Sequence, residues 1–198
     1  MAMDPLDAAM KKCGADAFVH YAGGEDADMR YLSRFVMHDS FVFFKKHRQP
    51  GTIIVPQMEA ERASRESIAA VITRTQAGLP GISKKERNPW KAAAQMIRGQ
   101  TGKTLLVSPS LPAALLRALE ESARVIVDEG TIEKVRAKKT PEEIRLYLEK
   151  VNPLDKAGAY AIQEHGDLII SEISGSYSNV VGLPVERLKG EIQSWTAS

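Results

Sequence analysis

The chain of 198 residues is 43% apolar and 26% charged, the balance of a soluble globular protein with room for one ordinary domain or a domain and a half. A net charge of only +2 provides no field that would argue for nucleic acid or a membrane surface as a partner. One cysteine, Cys13, excludes an internal disulfide framework, and no apolar run approaches the length of a membrane span.

The opening MAMDPLDAAMKKCG has acids early and no apolar core, so it is not read as a signal peptide, and a cytoplasmic location is expected. Asp4 is placed to cap a helix with Pro5 at its first position, and Gly14 to stop it. Cys13 falls on the apolar side of that helix, as a structural thiol. AFVHYAG (17–23) predicts a strand, and SFVFFKK (40–46) with GTIIVPQ (51–57) predicts an antiparallel pair joined by the polar turn HRQPG. Residues 26–36 are ambiguous in period, residues 59–70 are helical in composition, and VITRTQAG (71–78) suits a further short strand.

Asn88-Pro89 is expected to open a helix with Trp90, Ala94 and Ile97 on one face. TLLVSPS (104–110) and RVIVDEG (124–130) predict two buried strands, with Ser110 capping the helix LPAALLRALEES between them. Lys134, Arg136, Lys138 and Lys139, followed by Glu142 and Glu143, suit a solvated helix face. Thr140-Pro141-Glu142-Glu143 has the form of a capping box, and its helix should end at Asn152-Pro153. AYAIQ (159–163) and DLIISEIS (167–174) then read as strands, and Pro184 opens a last helix with Val185, Leu188, Ile192 and Trp195 on one face. This alternation argues an α/β fold, a mixed β-sheet with flanking helices, followed by a small α+β C-terminal segment.

Two patterns that resemble chemistry are set aside. GQTGKT (99–104) has Ile97 where a phosphate loop needs its first glycine, and it follows a helix and precedes a strand, the reverse of the order that aims a helix N-terminus at an anion. His20, His38, His47 and His165 show none of the common metal-ligand spacings.

Up to about residue 143 the chain resembles the N-terminal domain of archaeal Xaa-Pro peptidases of the pita-bread (creatinase) metallopeptidase family. ADAFVHYAG, DADMRYLSRFVMHDSFVFF with Tyr31, Leu32, Ser33 and Phe35, GTIIVPQMEAERA and VRAKKTPEEI carry the resemblance. It implies dimer contacts and a covering role, since the family's metal ligands sit in a separate domain that residues 144–198 do not match. From about residue 142 to 198, NPLDKAGAYAIQ and GSYSNVVGLP are similar to the end of Maf proteins, nucleoside triphosphate pyrophosphatases. That second resemblance implies that Asp155, Lys156, Tyr160 and Gln163 wall a nucleotide cleft, with Gln163 at a position linked to substrate preference.

The Maf phosphate loop S-x-S-x-R-R has no counterpart at the start of the chain, and RASRES (62–67) follows two strands, in the wrong context. No catalytic residue and no metal ligand is therefore assigned. The expected organisation is chimera-like: a peptidase-type domain over 1–139, a connecting helix over 140–151 and an incomplete Maf-like segment over 152–198. The expected function is a non-catalytic α/β module, dimerising, with no cofactor, no nucleic-acid or membrane partner, and nucleotide affinity no tighter than about millimolar. The alternatives are a Maf-like pyrophosphatase using Mg or Mn, and an accessory domain of an Xaa-Pro metallopeptidase.

Overall fold

The computed structural model describes residues 4–139, 141–149, 162–163, 170 and 172–196, which divide into two compact units, 1–138 and 139–198. In the first unit, local signals start the chain. Asp4 Oδ1 accepts the Leu6 N–H at 2.8 Å, Pro5 opens α1 (Pro5–Cys13), and Gly14 ends it in the left-handed region at φ 69°. β1 (Ala17–Ala22) follows, then α2 (Ala27–Ser33), which settles the ambiguous stretch as a helix. β2 (Phe41–Lys46) and β3 (Gly51–Val55) form the expected hairpin, with Phe43 opposite Ile53.

One turn of 3-10 helix (Gln57–Glu59) leads into α3 (Ala60–Glu66) and β4 (Ala70–Thr73). A short α4 (Leu79–Ser83) precedes α5 (Pro89–Gln100), whose N-terminus is capped by Asn88 Oδ1 at 2.9 Å from the Trp90 nitrogen. β5 (Thr104–Val107), α6 (Ala113–Glu120), β6 (Arg124–Val127) and α7 (Thr131–Ala137) complete the unit.

The strands make one mixed sheet in the order β4-β3-β2-β1-β5-β6. β1, β2 and β3 pair antiparallel, whereas β4 joins β3, β5 joins β1, and β6 joins β5 in parallel. Side chains alternate between the two faces of a strand, and here both faces are covered. Val19, Val42, Phe44, Ile54, Leu105 and Val107 meet Ala94 and Ile97 of α5 and Leu115 and Leu119 of α6 on one face. Phe18, Phe41, Phe43, Ile53, Val55 and Leu106 meet Leu6 and Met10 of α1, Met29 of α2, Ala63 of α3 and Ile132 of α7 on the other. Burial on both faces is why FVFF and TIIV read as continuous apolar runs rather than alternating ones.

Three expectations are corrected. Ser110 does not cap α6: that helix begins after Pro112 without a side-chain cap, and the Ser110 hydroxyl instead lies 2.8 Å from that of Ser108. The strand β6 is half exposed rather than buried, because it is the edge of the sheet. Arg136 is not on a solvated face, since its Nε donates to Asp28 Oδ1 at 2.9 Å with both side chains largely covered. No helix among the described residues is long and apolar enough to cross a membrane.

Gly24 supports a close approach of two segments. Its N–H donates to the Met37 carbonyl at 2.9 Å, and a Cβ there would lie within 2.9 Å of Val36 Cα and closer still to the Met37 amide nitrogen and carbonyl oxygen. Those obstacles are backbone and cannot rotate away. Gly24→Ala is expected to lower stability by about 1–3 kcal/mol, the usual cost of overpacking, read as a lower urea midpoint. An unchanged midpoint would show that the Val36–Met37 segment yields freely.

The second unit contains α8 (Pro141–Leu148), α9 (Tyr177–Val181) and α10 (Val185–Thr196). Arg145 on α8 pairs with Glu142 and Glu149, each at 2.6 Å, on the exposed surface. Thr140 of the expected capping box lies outside the described residues. Ile162 and Gln163, expected to end a strand, lie in a turn, and residues 172–174 are irregular rather than extended in a sheet.

Candidate functional site

Of the residues singled out as a nucleotide wall, Gln163 is exposed in its turn, while Asp155, Lys156 and Tyr160 lie outside the described residues. The other Maf-like segment, GSYSNVVGLP, is described, and its local geometry is built from hydroxyls. Ser176 stands at the N-cap of α9 and accepts the Asn179 N–H at 3.3 Å. Gly182, at φ 140°, closes α9 and turns the chain towards α10, a conformation that a side chain would strain.

Ser178 ties α9 to α10: its hydroxyl accepts the Val185 N–H at 3.1 Å and donates to Glu186 Oε2. The Ser176 hydroxyl donates to the same carboxylate oxygen at 3.0 Å. The hydrogen bond from Ser178, then the backbone amide of Glu186 itself, then Ser176 hold the Glu186 carboxyl below its ordinary range, so it is ionised at neutral pH. The sequence alone assigned no role to Ser176, Ser178 or Glu186. The available signal was the spacing of two serines on either side of a tyrosine with an acid just past Gly-Leu-Pro-Val.

Asp7, His20, Lys45 and Asp128, the buried titratable residues described in the first unit, are taken up in structural work. His20, fully buried on β1, holds its Nε2 2.9 Å from Asp26 Oδ1, and the same oxygen accepts the Met29 N–H at 2.7 Å to cap α2. Burial opposes the Asp26 charge, but the bonds from His20 and the Met29 amide outweigh it and keep the carboxyl below its usual value. Asp128 accepts the Thr131 amide and hydroxyl, both at 2.6 Å, at the start of α7. Asp7 and Lys45 are paired at 2.9 Å beneath α1. Among the described residues no three His, Cys, Asp or Glu side chains come together as a metal site.

The loop GQTGKT is not a phosphate cradle. Asp16 Oδ2 accepts the N–H groups of Lys103 at 2.6 Å and Thr104 at 2.8 Å, so two of the amides that a phosphate would need already have an acceptor.

Similarity to known proteins bears on the family and on the fold. A family model described as Maf-like protein matches residues 57–195. A dTTP/UTP pyrophosphatase of Syntrophomonas wolfei is 31% identical over 155 residues, covering 73% of this chain and 79% of that protein. A dTTP/UTP pyrophosphatase of Carboxydothermus hydrogenoformans is 54% identical over 56 residues, 28% of this chain and 30% of the relative. The chain spans about a third of the length of the first curated relatives that it matches, from 30% to 35%. Among solved structures, the prolidase from Pyrococcus furiosus superposes with a TM-score of 0.55 at 20% identity over 81% of this chain and 45% of that one. That likeness shows the fold: the mixed sheet with flanking helices is shared with a prolidase.

The expectation of a non-catalytic module is overturned. It rested on locating pyrophosphatase-like sequence only after about residue 142, whereas the family match begins at residue 57 and the Syntrophomonas wolfei relative is matched over most of its own length. A short, dense motif such as NPLDKAGAYAIQ is distinctive within a single sequence. A diverged stretch in which similarity is spread thinly over many positions is not.

Proposed function

Because the chain belongs to the Maf-like protein family, we propose that it is a nucleoside triphosphate pyrophosphatase acting on pyrimidine nucleotides of the dTTP and UTP class. The observation that carries the reading is the 31% identity over 155 residues to a dTTP/UTP pyrophosphatase, across 79% of that protein. In this reaction water attacks the α-phosphorus, the bond between that phosphorus and the oxygen bridging to the β-phosphorus breaks, and pyrophosphate leaves. The water proton passes to a base and the nucleoside monophosphate remains.

Three demands follow: a base for water, cations for the triphosphate and a polar edge for the nucleobase. Lys156 suits the second as a compact cation against phosphate oxygens. Gln163 suits the third, because an amide offers both a donor and an acceptor to the imide edge of uracil or thymine. By the same resemblance, Asp155 and Tyr160 are assigned to this wall. A divalent ion, Mg or Mn, would neutralise the phosphates. Among the described residues no three His, Cys, Asp or Glu side chains gather to hold it.

The full chain incubated with UTP, dTTP and a methylated GTP, with Mg or Mn present, is expected to release pyrophosphate and the matching monophosphate in equal amounts, faster from UTP and dTTP. Absence of pyrophosphate with every nucleotide would refute the reading. Release of single phosphates would place the cleavage at the wrong bond.

A further inference from the structure

The two edge strands of the sheet, β4 and β6, are finished differently. Along a strand, the N–H and C=O groups of successive residues point alternately to one side and the other. The Arg74 N–H donates to the Val55 carbonyl at 2.8 Å, so Ala70 and Ile72 also face β3, and Val71 and Thr73 face outward. Thr73 is closed off: its N–H donates to Gln76 Oε1 at 2.8 Å, and its carbonyl accepts the Ala77 N–H at 2.9 Å. The turn after β4 thereby ends that edge.

β6 has no such stop. The N–H groups of Arg124 and Asp128 donate to the Lys103 and Val107 carbonyls at 2.9 and 2.8 Å, which turns Arg124, Ile126 and Asp128 towards β5 and leaves Val125 and Val127 facing outward. Neither valine has a hydrogen-bond partner for its backbone among the described residues. Val127 is also 49% exposed. Two donors and two acceptors thus stand beside uncovered apolar surface, the arrangement to which another strand adds.

We propose that β6 pairs with β6 of a second copy of the chain, antiparallel, about a two-fold axis at Ile126. The outward residues of the two strands coincide when Val125 lies opposite Val127 of the second copy, and four backbone hydrogen bonds then form. Arg-Val-Ile-Val-Asp is self-complementary in that register: Arg124 lies opposite Asp128 of the second copy, twice by symmetry, with apolar pairs between. Arg124 is exposed and has no ion pair among the described residues. The Asp128 oxygens, each bonded once by Thr131, keep further acceptor capacity. In-register parallel pairing would set Arg124 against Arg124, which is unfavourable. β4 cannot take β6 in the same way, because its Thr73 groups are occupied, so the pairing closes at two chains rather than growing into a fibre. The contact lies wholly in the first unit, and it stands or falls independently of the pyrophosphatase reading.

Sedimentation velocity of the full chain over a range of concentrations is expected to show a reversible monomer–dimer equilibrium. Val127→Lys places a charge on the edge, and Arg124→Glu sets two like-charged pairs across the axis. Each should weaken dimerisation roughly tenfold or more. The register is read by Ile126→Cys in a chain carrying Cys13→Ser. The non-hydrogen-bonded pair on the axis brings the two Cα atoms to about 4.5 Å, within the range of a disulfide, so mild oxidation should link the dimer. Met58→Cys in the same background, 86% exposed and away from β6, should link far less. A chain that stays monomeric at every concentration overturns the proposal. So does a dimer indifferent to Val127→Lys and Arg124→Glu, or one that links no better through Ile126→Cys than through Met58→Cys.

Discussion

Replacing Lys156 by alanine is expected to lower pyrophosphate release from UTP by roughly 10- to 150-fold. One charge-assisted hydrogen bond to phosphate is worth about 1.5–3 kcal/mol, and about 1.4 kcal/mol corresponds to tenfold. If the lysine meets the phosphates equally in substrate and transition state, the loss appears in KM. If it meets charge that grows on the departing pyrophosphate, kcat falls. Gln163→Ala should behave differently: the residue is exposed in a turn, so the fold tolerates the change, and the expected effect is a narrowed preference for UTP over a methylated GTP. Undiminished turnover in Lys156→Ala would remove the DKAGAYAIQ segment from the site.

The largest stability effect is expected at Asp7. Its carboxylate lies beneath α1, with Lys45 Nζ and the Arg48 N–H both 2.9 Å from Oδ1. Both ionic side chains are only 9% exposed. Removing one partner of a buried pair leaves the other charge uncompensated, at a cost of roughly 3–5 kcal/mol. Asp4 Oδ2 stands 3.7 Å from the same ammonium but is half exposed, and it offsets part of the loss. Asp7→Ala should therefore destabilise by about 3 kcal/mol, measured by urea unfolding. A loss under about 1 kcal/mol would equate the pair with a surface salt bridge.

The same carboxylate sets a pH dependence. Burial pushes its pKa up, but the Arg48 amide, the hydrogen bond and charge of Lys45, and the charge of His47 together hold it below the ordinary value. The unfolded chain then binds the proton more readily than the folded one, so stability rises with pH in that range. The Asp7 contribution is complete above the unfolded pKa of about 3.9 and is lost as pH falls through the lower, folded value. Asp26 is depressed as well and acts in the same direction. The urea midpoint of Asp7→Ala should accordingly fall less steeply in acid than that of the parent, and parallel curves would deny Asp7 this role.

Elements announced by signals a few residues apart were legible in the chain alone. Asp4-Pro5 with Gly14 delimits α1, Asn88-Pro89 starts α5, and the apolar runs FVFF and TIIV mark β2 and β3, because caps and periodicity act within one turn or along one strand. The resemblances extended this to the mixed α/β sheet and to a candidate wall at Asp155, Lys156, Tyr160 and Gln163. What depends on neighbours distant in sequence was not legible. The helix α2 is capped by Asp26, whose carboxylate is also held by His20 from β1, and Arg136 is covered because Asp28, 108 residues earlier, lies beside it. Whether RVIV is buried depended on its place at the end of the order β4-β3-β2-β1-β5-β6, and an edge strand lacks the neighbour that would cover it. Likewise, Lys46, Lys103 and Arg124 are scattered along the chain and come to one end of the sheet only when β2 pairs antiparallel with β1, and β5 and β6 join in parallel. Local conformation follows from local sequence; burial, charge pairing and the company each side chain keeps are decided by which strands become neighbours.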